Sequence, residues 1–106
     1  MSSGYELIMC IVNDGFSDTV MDCARKAGAR GGTIINAHGS AKPEAEKLSG
    51  ITIQPEKEVV MIVAKLSDSD NILKAIYDNA GLMTDAHGIA YTLPIDNFVL
   101  PEKQKK

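Results

Sequence analysis

This chain's pattern predicts an α+β fold of the ferredoxin-like type, an antiparallel sheet with two helices on one face, and three observations point there. Two runs, residues 5–12 and 58–64, are apolar at nearly every position, as strands buried on both faces are. Each is followed by apolar residues at helical spacing and then by a glycine-punctuated loop, Gly28-Ala29-Arg30-Gly31-Gly32-Thr33 or Gly81-Leu82-Met83-Thr84-Asp85-Ala86-His87-Gly88. Each loop leads into a further short strand pattern, so the order is βαββαβ. With 106 residues a single domain, 1–106, is expected, large enough for a core without staples.

The first strand, residues 5–12, ends at the turn sequence Asn13-Asp14-Gly15. Phe16, Val20, Cys23, Ala24 and Ala27 then recur as one helix face, with Ser17 or Asp14 as the expected cap and Gly28 as the stop. Thr33–His38 is rich in β-branched residues and reads as the second strand. It feeds a polar segment, a long loop of about 40–57 containing Pro43, Gly50 and Pro55, too long for a hairpin and the expected working surface. Within it, residues 44–48 suit one helical turn or no regular structure equally. Residues 58–64 form the third strand. Ser67-Asp68 is the expected cap of a second helix carrying Ile72, Leu73, Ile76 and Ala80. Residues 89–93 close the pattern, with Pro94 and Pro101 restricting any continuation to edge or irregular structure.

The formal net charge of -3 argues against a nucleic-acid partner, and the one dense basic run, Lys103-Gln104-Lys105-Lys106, reads as a solvated tail over 101–106. The apolar run 7–12 lacks a basic flank and is too short for a signal core or a membrane span, so a cytoplasmic protein without membrane insertion is expected. Cys10 and Cys23 lack C-x-x-C spacing and read as small buried hydrophobes, not a disulfide. Met9, Met61 and Met83 read as core or interface packing. Two helices hide only one face of the sheet, so strands apolar on both faces need a second cover. A second copy of the chain is the simplest one, and a homo-oligomer is expected.

The segments Ala27-Gly28-Ala29-Arg30-Gly31-Gly32-Thr33-Ile34-Ile35-Asn36-Ala37-His38-Gly39, Glu58-Val59-Val60-Met61-Ile62-Val63 and Ala86-His87-Gly88-Ile89-Ala90-Tyr91 resemble the PII nitrogen-regulatory protein family over nearly the whole chain. The resemblance implies a cytoplasmic homotrimer without catalytic activity. In such a trimer nucleotides lie between neighbours, and a long loop controls a partner protein, a nitrogen-metabolism enzyme or a transporter. It implies no obligatory cofactor, with ATP, ADP or AMP as the effector. By position, Thr33 resembles the family's threonine near the adenine and Gly39 the glycine opening the long loop. Ala86, His87 and Gly88 resemble its nucleotide-cradling loop, and Ser40, Lys42, Glu44 and Lys47 fall in the partner-binding loop. On that assignment Gly88→Val is expected to block the nucleotide loop while leaving assembly intact.

The chain departs from the family pattern where Ile89 replaces a phosphate-binding lysine and where residues 93–101 lack the C-terminal arginines. The long loop also lacks the tyrosine that some members have modified. The resemblance therefore implies a divergent, PII-like member. Read from the residues alone, Gly28, Gly31 and Gly32 suit a helix end and a tight turn, and His38 and His87 suit loop hinges. Arg30 suits either a phosphate contact or a cation complementing a helix end. Two other classes stay open. One is a metal-responsive ferredoxin-like trimer using His38, His87 and the cysteines; the other is a small phosphate-ester or acylphosphate hydrolase, suggested by fold analogy and Arg30.

Overall fold

Burial in the first strand, β1 (Tyr5–Asn13), alternates: Ile8, Cys10 and Val12 are fully buried, while Leu7, Met9 and Ile11 between them are only half covered. That two-residue period assigns the first set to a helix-covered face and the second to the opposite face. The computed structural model describes residues 4–39 and 56–96, and comprises β1, α1 (Ser17–Lys26), β2 (Thr33–His38), β3 (Glu56–Lys65), α2 (Leu66–Ala80) and β4 (Ile89–Pro94). The sheet runs β2-β3-β1-β4 with every neighbour antiparallel, which is the ferredoxin-like α+β arrangement the sequence predicts. The two doubly apolar strands are the central pair.

Register follows the apolar pattern. Ile8 lies opposite Ile62 and Cys10 opposite Val60, and these four meet Val20, Met21 and Ala24 of α1 and Ile72, Ile76 and Ala80 of α2 in one core. Met9 lies between Met61 and Tyr91 on the other face, which Ile35 and Val59 extend toward one edge and Leu93 and Leu7 toward the other end. No element among the described residues covers this face, and Tyr91 is 42% exposed on it. A one-residue slip would exchange the two faces completely, so the core fixes the register.

Helix ends show where local signals were misleading. Neither Ser17 nor Asp14 caps α1: its N-cap position is Phe16, which offers no side-chain hydrogen bond. Glu58 of β3 supplies the acceptor from across the sheet, with Oε1 accepting from the Gly15 amide at 3.1 Å and the Ser17 amide at 2.9 Å. Glu58 lies opposite Val12, on the helix face, which aims its carboxylate at the start of α1. The other end of α1 follows the sequence reading. The Gly28 amide donates to Arg25 and the Ala29 amide to Ala24, a Schellman closure with Gly28 at φ 120°.

In α2 the N-cap is Lys65, without a side-chain bond, so Ser67 and Asp68 sit inside the first turn and do not cap it. Ser69 donates its hydroxyl to Glu6 of β1. β3 begins at Glu56, earlier than residue 58, because Glu56 pairs with His38 and its carbonyl accepts the Asp14 amide at 3.1 Å. Met83 is 92% exposed, not a core residue of this chain; it occupies the turn after α2, where no strand or helix among the described residues overlies it.

Chain direction sorts the connections to two ends of the sheet. The turn after β1, the start of the long polar segment and residues 81–88 share one end. Gly4, residues 27–32, the β3–α2 junction and the end of β4 share the other.

Candidate functional site

β2 is shorter than β3, and that difference makes a cleft. The pairing runs from His38 opposite Glu56 to Thr33 opposite Met61, whereas β3 continues to Lys65. Past Met61, no strand among the described residues flanks β3 on the side away from β1. The α1–β2 connection passes this stretch, and between them lies a cleft of about 660 Å³. Its walls are residues 28–33 on one side, Met61, Val63, Ala64 and Lys65 on the other, and Tyr5 and Asp68 at the end. Thr33, Met61 and Val63 belong to the uncovered sheet face, so the cleft opens along its margin. Arg30 and Lys65 give it two cations against the one carboxylate of Asp68. A threonine hydroxyl and an apolar wall stand beside them. This chemistry suits a small anionic molecule with a flat or apolar portion.

At the opposite end of the sheet, residues 81–88 are tied down tightly. The Asn13 amide donates to the Ala86 carbonyl at 2.9 Å, and the Asn13 side-chain amide donates to the Asp85 carbonyl at 3.2 Å. Lys57 Nζ donates to Asn13 Oδ1 at 2.6 Å. His87 has φ 50°, in the left-handed region, and its Nδ1 lies 3.0 Å from the Leu82 carbonyl. A carbonyl only accepts, so Nδ1 is the donating nitrogen in this contact. The Gly88 amide donates to the Ala80 carbonyl at 2.8 Å. A Cβ on Gly88 would stand 2.1 Å from that carbonyl oxygen, so Gly88 is the point where β4 passes the end of α2. The expectation that a Gly88→Val chain assembles normally is corrected on this geometry: the side chain meets backbone.

The sequence-predicted nucleotide residues do not meet within one chain. Thr33 lines the cleft. Gly39 follows the other end of β2, about 20 Å along the strand from Thr33. Ala86, His87 and Gly88 lie beside β4, at the far edge of a four-stranded sheet, about 14 Å from β2 across three strand spacings. Ala86 is buried, and His87 is exposed. Ser40, Lys42, Glu44 and Lys47 lie outside the described residues. Sequence reasoning missed Tyr5, Met61, Val63, Lys65 and Asp68 as cleft residues. Their signal is the mismatch between a six-residue and a ten-residue strand, which becomes visible only once the register is known.

Neither cysteine is primed for chemistry. Burial pushes the Cys10 thiol up to about 11, with Cys23 nearby as a smaller cause. Burial also raises Cys23, whose Sγ donates to the Val20 carbonyl at 3.2 Å. No group of three or more His, Cys, Asp or Glu side chains suited to hold a metal converges among the described residues. His38 instead faces Glu56 at 3.6 Å across the neck of the long polar segment. No helix among the described residues is long and apolar enough to cross a membrane.

The fold and cleft together define a class, a ferredoxin-like α+β domain with a ligand-sized cleft at one margin of an uncovered sheet face. Among solved structures the fold is shared with PII-type signalling proteins. Arabidopsis thaliana PII bound to citrate superposes with a TM-score of 0.73 at 19% identity, covering 98% of this chain and 86% of that one. A Thermus thermophilus protein described as a putative PII-like signaling protein superposes with a TM-score of 0.66 at 14% identity, covering 86% of this chain and 85% of that one. No family model matches the sequence, and no curated protein matches it.

Proposed function

We propose that this chain is a divergent PII-like signalling regulator, a cytoplasmic homotrimer without catalytic activity. It holds a small anionic effector at its subunit boundary and controls a partner protein through its long loop. One observation carries the reading: the cleft of Thr33, Arg30 and Lys65 opens on the margin of an uncovered apolar sheet face. Copies packed through that face would bring the cleft of one chain against its neighbour. Such packing would also resolve the separation of Thr33 from residues 86–88, which lie on opposite sheet edges of one chain and could approach only between two. Arg30 and Lys65 favour a phosphate or carboxylate, and Met61, Val63 and Thr33 offer a surface for a base. The effector on this reading is an adenine nucleotide, ATP, ADP or AMP, and the partner is a nitrogen-metabolism enzyme or a transporter.

Isothermal titration of the protein with ATP, ADP and AMP, on a sample whose trimer mass is established by light scattering, tests this reading. Saturable binding near one nucleotide per chain is expected, weakened about tenfold or more by Arg30→Ala, the loss of one charge-assisted contact. An intact trimer that takes up none of the three would overturn the nucleotide part. A strictly monomeric protein would overturn the whole.

A further inference from the structure

A groove of about 450 Å³ lies on the outer flank of α2, between that helix and β4. Leu73, Ile76 and Ala90 make it apolar, Gly81 and Gly88 bound it at the end of α2, and Tyr77 stands 69% exposed beside it. Its rim is not electrically balanced. Asp70 and Lys74 border it, but Lys74 Nζ is engaged by Asp78 at 3.1 Å, and Asp70 has no ion pair among the described residues. α2 also has no basic residue in its last turn, so the negative end of the helix dipole adds to the two carboxylates. An occupant that brings positive charge to Asp70 is favoured over one that brings negative charge.

The strand beside the groove narrows the choice further. Asn13 donates its amide to Ala86, on the β4 side, and strand residues alternate in direction, so Met9 and Ile11 also bond toward β4, to Tyr91 and Ile89. Ala90 and Thr92 therefore turn their N–H and C=O groups outward, as Gly88 does when its amide reaches Ala80. No strand among the described residues lies on that side. Ala90 thus offers an open sheet edge in one direction and a small side chain at the groove in the other. An extended peptide meets both, with its backbone on the edge and alternate side chains in the groove. We propose that this edge and groove dock an extended segment of a partner protein. Two aliphatic side chains at alternate positions lie beside Ala90 and Tyr77 toward Gly81 and Gly88, and a basic side chain two residues before them pairs with Asp70. From Asp70 to Gly81 α2 covers about 16 Å, the reach of about five residues of strand. β4 runs away from Gly88 and α2 runs toward Gly81, so antiparallel addition, the more stable pairing, puts the basic residue first. Gly81 and Gly88 lie at the same end of the sheet as the start of the long polar segment. On the proposed function the regulated partner carries this segment, and that identification alone rests on that reading.

Titration of the full chain with the peptide acetyl-Arg-Thr-Leu-Thr-Leu-Thr-amide, followed through amide chemical shifts, tests the proposal. Saturable shifts are expected at Leu73, Tyr77, Gly81 and Ala90. Asp70→Lys is expected to weaken binding about fivefold or more, and a peptide with Glu in place of Arg is expected to bind that variant better than it binds the unaltered chain. Asp70 is exposed, so the substitution leaves the core between helices and sheet intact. Absence of saturable shifts at these residues up to about 1 mM peptide, or an affinity that Asp70→Lys leaves unchanged for both peptides, overturns the proposal. Binding seen only in a chain ending at residue 96 overturns it as well, because the groove then belongs to the chain's own end. The peptide is added without nucleotide, and neither assembly mass nor nucleotide uptake enters the readout, so the docking groove and the proposed effector site fail separately.

Discussion

Gly88 carries more of this structure than its place in a polar loop suggests. Its Cα lies against the end of α2, and its amide closes a bond to Ala80. Gly88→Val is therefore expected to destabilise the protein by about 3–5 kcal/mol, read as a lowered denaturant midpoint, because backbone atoms on both sides must separate to admit the side chain. The glycine spacing was legible as a loop before the last strand. What packs on that glycine was not, since the neighbour is Ala80, fixed only by how α2 crosses the sheet. Thr33 repeats the lesson in another form. Its place at the head of a strand was readable, but the cleft beside it is made by Met61 and Val63, which read only as ordinary strand residues, and by Lys65, which fell outside the expected strand.

At the level of elements, all six were legible: β1, β3 and the two helices from periodicity, because strands apolar at every position and helices apolar on one face are distinct patterns, and β2 and β4 as the short strand patterns after the two glycine-punctuated loops. Their ends were less so. Ser17 and the Ser67-Asp68 pair carry the composition of caps, yet α1 is capped by Glu58 from another strand and α2 by no side chain. Capping by Glu58 couples helix to sheet: Glu58→Ala leaves the Gly15 and Ser17 amides without their acceptor and is expected to cost about 1–2 kcal/mol, measured by urea unfolding. Glu58→Gln keeps an accepting oxygen and is expected to recover part of that loss. A position at the start of an apolar strand gave no hint of this role, which depends on the register placing Glu58 opposite Val12.

For the molecule as a whole, the second face of the sheet is the decisive feature. Periodicity in β1 and β3 showed that this face is apolar before any fold was known, and the register assembles it from all four strands. Met9 lies at its centre, between Met61 and Tyr91. If the chain assembles as the proposed trimer, Met9→Lys is expected to lower the mass seen by light scattering from that of a trimer to the 11.4 kDa of one chain, while the helix-face core keeps the fold. The number of copies was never legible, because an apolar face specifies burial and not symmetry. The two-ended layout of the connections has a practical consequence. The chain enters and leaves the described body beside Tyr5 and Pro94, at the end of the sheet away from the His38–Glu56 neck. A fluorescent domain or an affinity handle joined ahead of β1 would emerge at the end of the sheet away from the His38–Glu56 neck, from which, on the proposed function, the long loop engages its partner. On that reading the protein can be tethered, imaged or immobilised from its beginning with the His38–Glu56 end left facing outward.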